Sequence, residues 1–385
     1  MQIWRSTRRL LSNKIFSGTL VVLTLLVTSS FLFSRTIDVS KQAFSLFTNT
    51  EFSISKKIQD GIAMLKASPP LAYSGSRQQV ALAILNKQTG EIQEERIWIT
   101  PGGDLISSSL PIRIQWWNSF NTYYEIDDRP ELIVVANKFL VERKYLPEQT
   151  TLRLDLDAPR SKYTDMVYAP YSENLHWPDV VDDGKEYINR HAEQAFKELK
   201  TAKVQSRSQP GKLVVDVVPK DLVKTIVLVE HVDPGWLEFS DDGGRALVER
   251  ALVIIGANQQ WAYRYTSSKA NAYGLAQFIE PTYDLMVDRY PDAGLIKDHT
   301  LGMVDHTNAF KAIALLFDNE AHEIQSKASI PATREMLAAA YNGGPGRVIQ
   351  AVKSDGQDWA NSDIFPDETS NYVKKYGLIK KLNIF

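Results

Sequence analysis

The stretch Ser268-Lys-Ala-Asn-Ala-Tyr-Gly-Leu-Ala-Gln277 decides the fold of the C-terminal part of the chain. Gly274 permits a tight bend where the backbone comes close to a ligand. Gln277 presents an amide group that can hydrogen-bond hydroxyl or acetamido groups. This combination of residue types predicts a turn that lines a binding cleft.

A second stretch, Ala340-Tyr-Asn-Gly-Gly-Pro-Gly346, follows about sixty residues later. Here one helix is expected to end at the glycine pair and another to begin at the proline. That geometry would place the Tyr341 hydroxyl and the Asn342 amide at a helix terminus. Both stretches therefore suit the wall of a cleft for a polar ligand.

Length and composition describe an ordinary globular protein. The 385 residues are 44% hydrophobic and 23% charged, which is enough material for two domains with separate cores. The formal net charge of -2 gives no basic field, so no nucleic-acid partner is expected. The absence of cysteine excludes disulfides, iron–sulfur clusters, thiolate zinc sites and a cysteine nucleophile.

The N-terminal residues 1–35 predict a transmembrane helix with a basic flank. An uncharged run of nineteen residues extends from Ile15 to Phe33, and it follows four basic residues, Arg5, Arg8, Arg9 and Lys14. Nineteen helical residues span about 28 Å, close to the roughly 30 Å hydrocarbon core of a bilayer. The basic flank predicts a single-pass protein of the cell membrane, with everything after Arg35 outside the cytoplasm. The alternative is a cleaved signal peptide, for which Val27-Thr-Ser29 is a weak site.

Residues 36–70 are predicted to form a stalk or lead-in, and residues 71–236 a mixed α+β accessory domain of no recognised family. One helix is expected near 183–201, and Asp233-Pro-Gly235 marks the expected end of the domain. The expected strands are Val80–Leu85, Ile92–Ile99, Ile112–Trp116, Leu132–Val135, Thr151–Leu156, Leu213–Val218 and Thr225–Val229.

An aromatic cluster in the accessory domain has two interpretations. Its rings could stack on sugars, although such clusters more often belong to a hydrophobic core. Its members are Trp116, Trp117, Phe120, Tyr123 and Tyr124.

Residues 237–385 are predicted to form an all-α domain, because apolar residues recur at helical spacing after Ser240. A first helix is expected to end near Asn258. Further helices are expected over residues 282–290, 304–325, 332–340, 347–353 and 369–382.

Residues 240–385 resemble the lytic transglycosylase (SLT) domain. Besides the two quoted stretches, Asp305-x-x-Asn308-Ala is similar to the family's Asp-Pro-x-x-Asn-Ile element, and Glu368-Thr-Ser-Asn-Tyr-Val373 is similar to its Glu-Thr-x-x-Tyr-Val. The resemblance implies a lysozyme-like fold that cuts the MurNAc-GlcNAc bond of peptidoglycan without hydrolysis. It also implies that Tyr341 lies beside the reactive sugar. The residues implied to contact the glycan are Ser268, Gly274, Gln277 and Asn342.

The family's catalytic acid is not found at the expected position. In the family a single Glu acts as acid and then as base, and it stands fifteen residues before the Gly of Gly-Leu-x-Gln. In this chain that position is Gln259, whose amide cannot transfer the proton. Glu280, just after the turn, is an alternative carboxylate or else a helix N-terminal residue. Glu249 is unsuitable, since ten helical residues correspond to about 15 Å.

Three interpretations stay open at this point. The chain is an active lytic transglycosylase, a catalytically inactive peptidoglycan-binding or scaffolding module, or a protein with an engineered exchange at Gln259. The expected partners are peptidoglycan glycan strands, the membrane, and envelope proteins that bind the accessory domain. No cofactor is expected. No metal is expected either, because the histidines lack the one-turn spacing of helical zinc ligands; they include His299, His306 and His322.

Overall fold

The computed structural model describes residues 52–142, 158–233, 240 and 242–385, which all belong to one unit, Phe52–Phe385. The predicted membrane helix at 15–33 and the predicted strand at 151–156 lie outside the described residues. Among the helices that are described, none is both long and apolar enough to cross a bilayer.

An antiparallel sheet and a separate hairpin form the first part of the unit. The strands are β1 (Tyr73–Ser74), β2 (Arg77–Asn86), β3 (Ile92–Ile99), β4 (Leu105–Ser107), β5 (Ile112–Trp116), β6 (Tyr123–Ile126), β7 (Leu132–Glu142) and β8 (Tyr163–Tyr168). The order in the sheet is β4-β3-β2-β7-β8, with β1 paired to β2, whereas β5 and β6 pair with each other. The strands predicted at 80–85, 92–99, 112–116 and 132–135 are confirmed.

Both faces of the sheet are covered. Along β2, Ala81 and Ala83 enter one hydrophobic core, while Leu82 and Ile84 enter another. Helix α1 (Ile54–Ala67) packs on β2 and β7 at the first face, and the β5–β6 hairpin covers the second face. The sheet is therefore central, and the hairpin is its outer layer.

Ten further helices are described. They are α2 (Pro178–Thr201), α3 (Val214–Val217), α4 (Lys220–Glu230), α5 (Arg245–Asn258), α6 (Glu280–Arg289), α7 (His299–Val304), α8 (His306–Ala328), α9 (Arg334–Gly343), α10 (Pro345–Asp355) and α11 (Asp367–Lys381). The structure thus combines mixed α+β content with a helical C-terminal region. The helix predicted near 183–201 is confirmed and begins five residues earlier.

The strands predicted at 213–218 and 225–229 are wrong. These residues form α3 and α4 instead, although they are rich in β-branched side chains. The buried positions of α4 include Leu222, Val223, Ile226 and Val227, which recur at the spacing of one helical face. Burial of that face overrides the local preference for strand.

Helices α2 and α5 cross at a contact between their backbones. A Cβ on Gly184 would lie 2.1 Å from the carbonyl oxygen of Leu252, and one on Gly256 would lie 2.3 Å from that of Val180. Only glycine fits at such a distance. One hydrophobic core, which runs from Ile54 on α1 to Ile379 on α11, therefore includes helices from both sides of residue 236.

The C-terminal region is helical but not entirely so. Strands β9 (Ala272–Tyr273) and β10 (Phe278–Ile279) form a small antiparallel hairpin. The expectation of an all-α segment is corrected at this point, because the turn between these strands needs paired ends to hold its shape.

Candidate active site

The turn between β9 and β10 requires unusual backbone conformations. Gly274 has φ +70°, and a Cβ at this position would lie 2.6 Å from the carbonyl oxygen of Met303. Gln277 has φ +50°, and its side-chain amide donates to the Gly274 carbonyl at 2.8 Å. The Gln277 amide thus stabilises the turn, and the contact with Met303 explains why position 274 is glycine.

Ser268 closes the loop that precedes the turn. Its hydroxyl oxygen accepts hydrogen bonds from the backbone N–H groups of Ala270 at 3.2 Å and Ala272 at 3.1 Å. The residue is exposed. Ser268 therefore orders the loop and can still be reached from solvent.

Tyr341 joins the end of α9 to the turn. Its hydroxyl donates to the Ala276 carbonyl at 2.5 Å. Its ring lies edge-on to Phe278, with the centroids 5.7 Å apart, and also contacts Phe317 on α8. The two stretches that stand out in the sequence therefore meet.

Asn342 connects α9 to the first turn of α11. Its Oδ1 accepts from the Thr369 hydroxyl at 2.8 Å, and its Nδ2 donates to Glu368 at 3.4 Å. A Cβ on the following Gly343 would lie 2.8 Å from the Thr369 hydroxyl oxygen. The two helices are consequently in close contact, and the residues 368–373 come next to Tyr341.

Glu230, the last residue of α4, lies at the point where these elements meet. The Tyr372 hydroxyl donates to its Oε1 at 2.5 Å. The rings of Tyr372 and Tyr341 stack with centroids 6.5 Å apart and planes 20° apart. Lys375, one turn further along α11, donates to the Val232 carbonyl at 2.8 Å and so fixes the chain just after Glu230.

The surroundings of Glu230 shift its pKa towards neutral pH, where the carboxyl can both donate and accept a proton. Burial raises its pKa to about 7, against the opposing effects of the Tyr372 hydrogen bond and the Lys375 charge. The residue is nevertheless partly exposed, so a ligand can reach it. Burial also raises the pKa of Tyr341 and of Tyr372, and both phenols therefore stay protonated.

His231 adjoins the carboxyl and is neutral. Burial lowers its pKa to about 3, although a hydrogen bond with Leu275 opposes the shift. Its Nε2 lies 2.9 Å from the Leu275 carbonyl oxygen, so this nitrogen must carry the proton and donate it. The imidazole thus links α4 to the turn without adding a charge beside Glu230.

A second carboxyl, that of Glu320, lies in the wall of the site on α8. The residue is 2% exposed, and its Oε2 has no hydrogen-bond partner. If it were ionised, its charge would raise the pKa of Tyr341 and of Tyr372. Burial raises the pKa of Glu320 well above its usual value, which keeps this carboxyl neutral.

Gln259 is not part of the hydrogen-bond network that joins Glu230, Tyr341 and the turn in the described residues. It follows the last residue of α5 and has φ +48°. The preceding Asn258 exchanges two hydrogen bonds with the backbone of Ala169, just after β8. Among the hydrogen bonds of the described residues, none joins the Gln259 side chain to the turn or to Tyr341.

Glu280 is the first residue of α6 and is exposed. Its position directly after β10 agrees with a carboxylate that complements the positive end of a helix. Tyr341 donates its hydroxyl proton to the turn and not to this carboxyl.

Glu230 could not be recognised from the sequence, for two reasons. Glu230 precedes Gly274 by 44 residues, with α5 between them, whereas the family spacing pointed to Gln259. The apolar run before Glu230 also resembled a strand. The signal that could have found it is the recurrence of apolar residues at helical spacing before a single carboxylate at the helix end.

A comparison of the chain with models of known protein families and with curated proteins gave no match. Within residues 52–142, 158–233 and 242–385, no three His, Asp or Glu side chains come together in a way that could hold a metal ion.

Proposed function

We propose that this protein cleaves peptidoglycan glycan strands as a lytic transglycosylase, with Glu230 as the acid and base. The observation that carries the proposal is the position of Glu230, which meets Tyr372, Tyr341 and the turn at 274–277. Three sequence blocks that resemble the family contribute to this one site. A lysozyme-like fold of the helical region is part of the proposal.

The chemistry follows from one carboxyl that changes its protonation state. Protonated Glu230 donates its proton to the glycosidic oxygen, and the bond from that oxygen to the anomeric carbon breaks. The carboxylate then takes the proton of the same sugar's 6-hydroxyl, whose oxygen attacks the anomeric carbon. Glu230 ends protonated, and the product is a 1,6-anhydro sugar. This route needs no second carboxylate, unlike most glycosidase mechanisms.

The environment of Glu230 suits both steps. A pKa of about 7 leaves the proton available for donation near neutral pH and makes the carboxylate a usable base afterwards. Tyr372 donates to Oε1 and leaves Oε2 for the substrate. The amide at Gln259 does not prevent catalysis when Glu230 is the acid.

The test is a digest of purified sacculi with the full-length protein, analysed by mass spectrometry for 1,6-anhydro products. The wild type should release them, and Glu230→Gln should lower the rate by about 10²–10⁴-fold, because the amide cannot transfer the proton. The rate should also fall as the pH rises through about 7, where Glu230 loses its proton before the first step.

Two matched variants decide which residue is the acid. Glu280→Gln removes an exposed carboxyl and should leave the rate unchanged, and Gln259→Glu should not increase it. A wild type that binds strands but releases no product supports the inactive binding module instead. A large increase in the rate of product release from Gln259→Glu would instead identify position 259 as the site of the acid.

The location of the protein belongs to the same proposal. Peptidoglycan lies outside the cytoplasm, and the predicted helix at 15–33 with its basic flank would hold the C-terminal bulk on that side. The sheet and the β5–β6 hairpin would then be available to partners in the envelope.

A further inference from the structure

A cavity of about 210 Å³ lies between the first half of α4, the start of α9, the second half of α11 and the segment that follows α11. A cavity of about 150 Å³ in another protein holds benzene, so the volume here is sufficient for a ligand of amino-acid size. The residues in its wall include Asp221 and Thr225 of α4, Arg334 of α9, Tyr376 and Lys380 of α11, and Phe385.

The cavity is separate from the site around Glu230, but it is built from the same three helices. Asp221 precedes Glu230 by nine residues of α4, which is about 14 Å along the helix. Arg334 precedes Tyr341 by seven residues of α9, which is about 10 Å. A ligand in the cavity would therefore contact α4, α9 and α11 without touching Glu230.

Tyr376 supplies a buried polar group that the protein leaves unpaired. The residue is 1% exposed, and its hydroxyl has no hydrogen-bond partner among the described residues. Its oxygen is not one of the unpaired atoms that protein encloses completely, so it opens into the cavity. Burial raises the pKa of Tyr376 to about 12, and the phenol therefore stays protonated. Because buried polar groups are nearly always paired, this hydroxyl indicates a ligand that completes its hydrogen bonding.

The charges at the cavity have both signs and are weakly held. Arg334 forms an ion pair with Asp221, and Lys380 forms one with Glu335 at 2.9 Å. All four side chains are roughly half exposed. Ion pairs of this kind stabilise a fold only slightly, so each charge can turn towards a ligand at little cost.

These groups define the chemistry of the ligand. The Arg334 guanidinium and the Lys380 ammonium would bind a carboxylate, and the Asp221 carboxylate would bind an ammonium group. A ligand with negative charge alone would be repelled by Asp221, and one with positive charge alone would be repelled by Arg334 and Lys380. Ile379 and Phe385 add apolar surface to the wall. The complementary ligand is therefore small and zwitterionic, with an apolar side chain.

We propose that this cavity binds a free α-amino acid with an apolar side chain. Arg334 and Lys380 hold its carboxylate, and Asp221 holds its ammonium group. The Tyr376 hydroxyl forms a further hydrogen bond with it. The inference goes beyond the proposed function, because this ligand takes no part in glycan cleavage. Since the ligand contacts the three helices that also carry the site around Glu230, its binding should stabilise the folded protein.

The experiment measures binding by isothermal titration calorimetry with the full-length protein in detergent and without glycan. The probes are L-leucine, D-leucine and two analogues that each lack one of the charges, isocaproate and isoamylamine. At least one enantiomer of leucine should bind with a Kd of about 1 mM or lower, which is ordinary for so small a ligand. Both analogues should bind at least about tenfold more weakly. Saturating leucine should also raise the melting temperature by a few degrees.

Two variants test the wall of the cavity. Tyr376→Phe removes a hydroxyl that has no partner in the protein. It should weaken leucine binding about three- to tenfold and leave the melting temperature of the free protein unchanged or higher. Arg334→Gln should weaken leucine binding by about tenfold or more, because the amide cannot form a bidentate pair with the carboxylate.

Each variant has a matched control that should leave the affinity for leucine unchanged. Tyr283→Phe also removes a buried hydroxyl, but this one is hydrogen-bonded to Ile296 and Asn308, so the melting temperature should fall. Arg245→Gln removes an exposed arginine of α5 that is paired with Glu249 at 3.5 Å.

Three results would overturn the inference: no binding of either enantiomer, analogues that bind as tightly as leucine, or an affinity that Tyr376→Phe and Arg334→Gln leave unchanged. These measurements use no glycan and do not depend on product release. A protein that binds leucine but cleaves no glycan therefore contradicts only the proposed function, and one that cleaves glycan but binds no leucine contradicts only the amino-acid site.

Discussion

At the scale of single residues, Glu230 shows how position changes the chemistry of a side chain. The same carboxyl type at Glu280 is exposed at a helix start, whereas Glu230 is enclosed by two tyrosines and a lysine of α11 and α9. Burial favours the protonated form of the Glu230 carboxyl and raises its pKa. The hydrogen bond from Tyr372 favours the carboxylate and so limits this increase. A buried carboxyl of this kind is expected to destabilise the fold when it is ionised.

The effect of the Glu230 carboxyl on the stability of the fold can be tested without measuring activity. The folded-state pKa of Glu230 is raised to about 7 from 4.5, so its protonation stabilises the fold below about pH 4.5, and this stability is lost as the pH rises through about 7. Glu230→Gln cannot lose a proton. Its melting temperature should therefore equal that of the wild type near pH 4 and exceed it by roughly 2–5 °C at pH 8.

Differential scanning calorimetry across this pH range measures the effect. Glu280→Gln is the control, because Glu280 is exposed and should show no gain that grows with pH. A Glu230→Gln melting temperature below that of the wild type at pH 8 would mean that the Glu230 carboxylate stabilises the fold, contrary to its buried setting.

At the scale of elements, the crossing of α2 and α5 determines where the site is built. Helix α5 lies between α4 and the turn in the sequence, and its closest contacts with α2 are made at Leu252 and Gly256. Gly184 and Gly256 allow the backbones to touch. The loop after α5 then carries Tyr263 to His231.

We expect Gly256→Ala to lower the free energy of unfolding by about 2–3 kcal/mol or more, because its Cβ would overlap the Val180 carbonyl oxygen, 2.3 Å away. Gly377→Ala is the control. This helical glycine of α11 has no atom within 4 Å of an added Cβ, and alanine there should be neutral or stabilise by up to about 1 kcal/mol. Urea unfolding compares the two, and similar midpoints would contradict the close crossing.

At the scale of the whole molecule, the sheet and the helices share one hydrophobic core. The core extends from Ile54 to Ile379, and the second core under the β5–β6 hairpin adds an outer layer. The described unit follows a segment that the sequence predicts to span the membrane. The orientation of the whole chain therefore decides whether the site meets its proposed substrate.

The lack of cysteine makes the orientation easy to measure. We expect Ser354→Cys, at an exposed position of α10, to react with a membrane-impermeant maleimide in intact spheroplasts. Ser6→Cys, in the basic flank, should react only after permeabilisation. Labelling of Ser6→Cys and protection of Ser354→Cys would place the site in the cytoplasm and contradict the proposed function.

The sequence by itself determined the features that depend on neighbouring residues. The hairpin at 80–99, the turn with Gly274 and Gln277, and the helix end at Tyr341 follow from local patterns of glycine, polar and alternating apolar residues. Such patterns act over a few residues, so they can be identified without knowledge of distant contacts.

Only the tertiary structure decided which carboxyl belongs to the site and which runs are helices. Glu230 reaches Tyr372 across 142 positions of the chain, and no spacing rule connects them. The valine- and isoleucine-rich run of α4 forms a helix because its buried face packs on α11 and α2, although its residues favour strands locally. Long-range packing, which local preference does not encode, is the physical reason why the position of Glu230 became clear only in the structure.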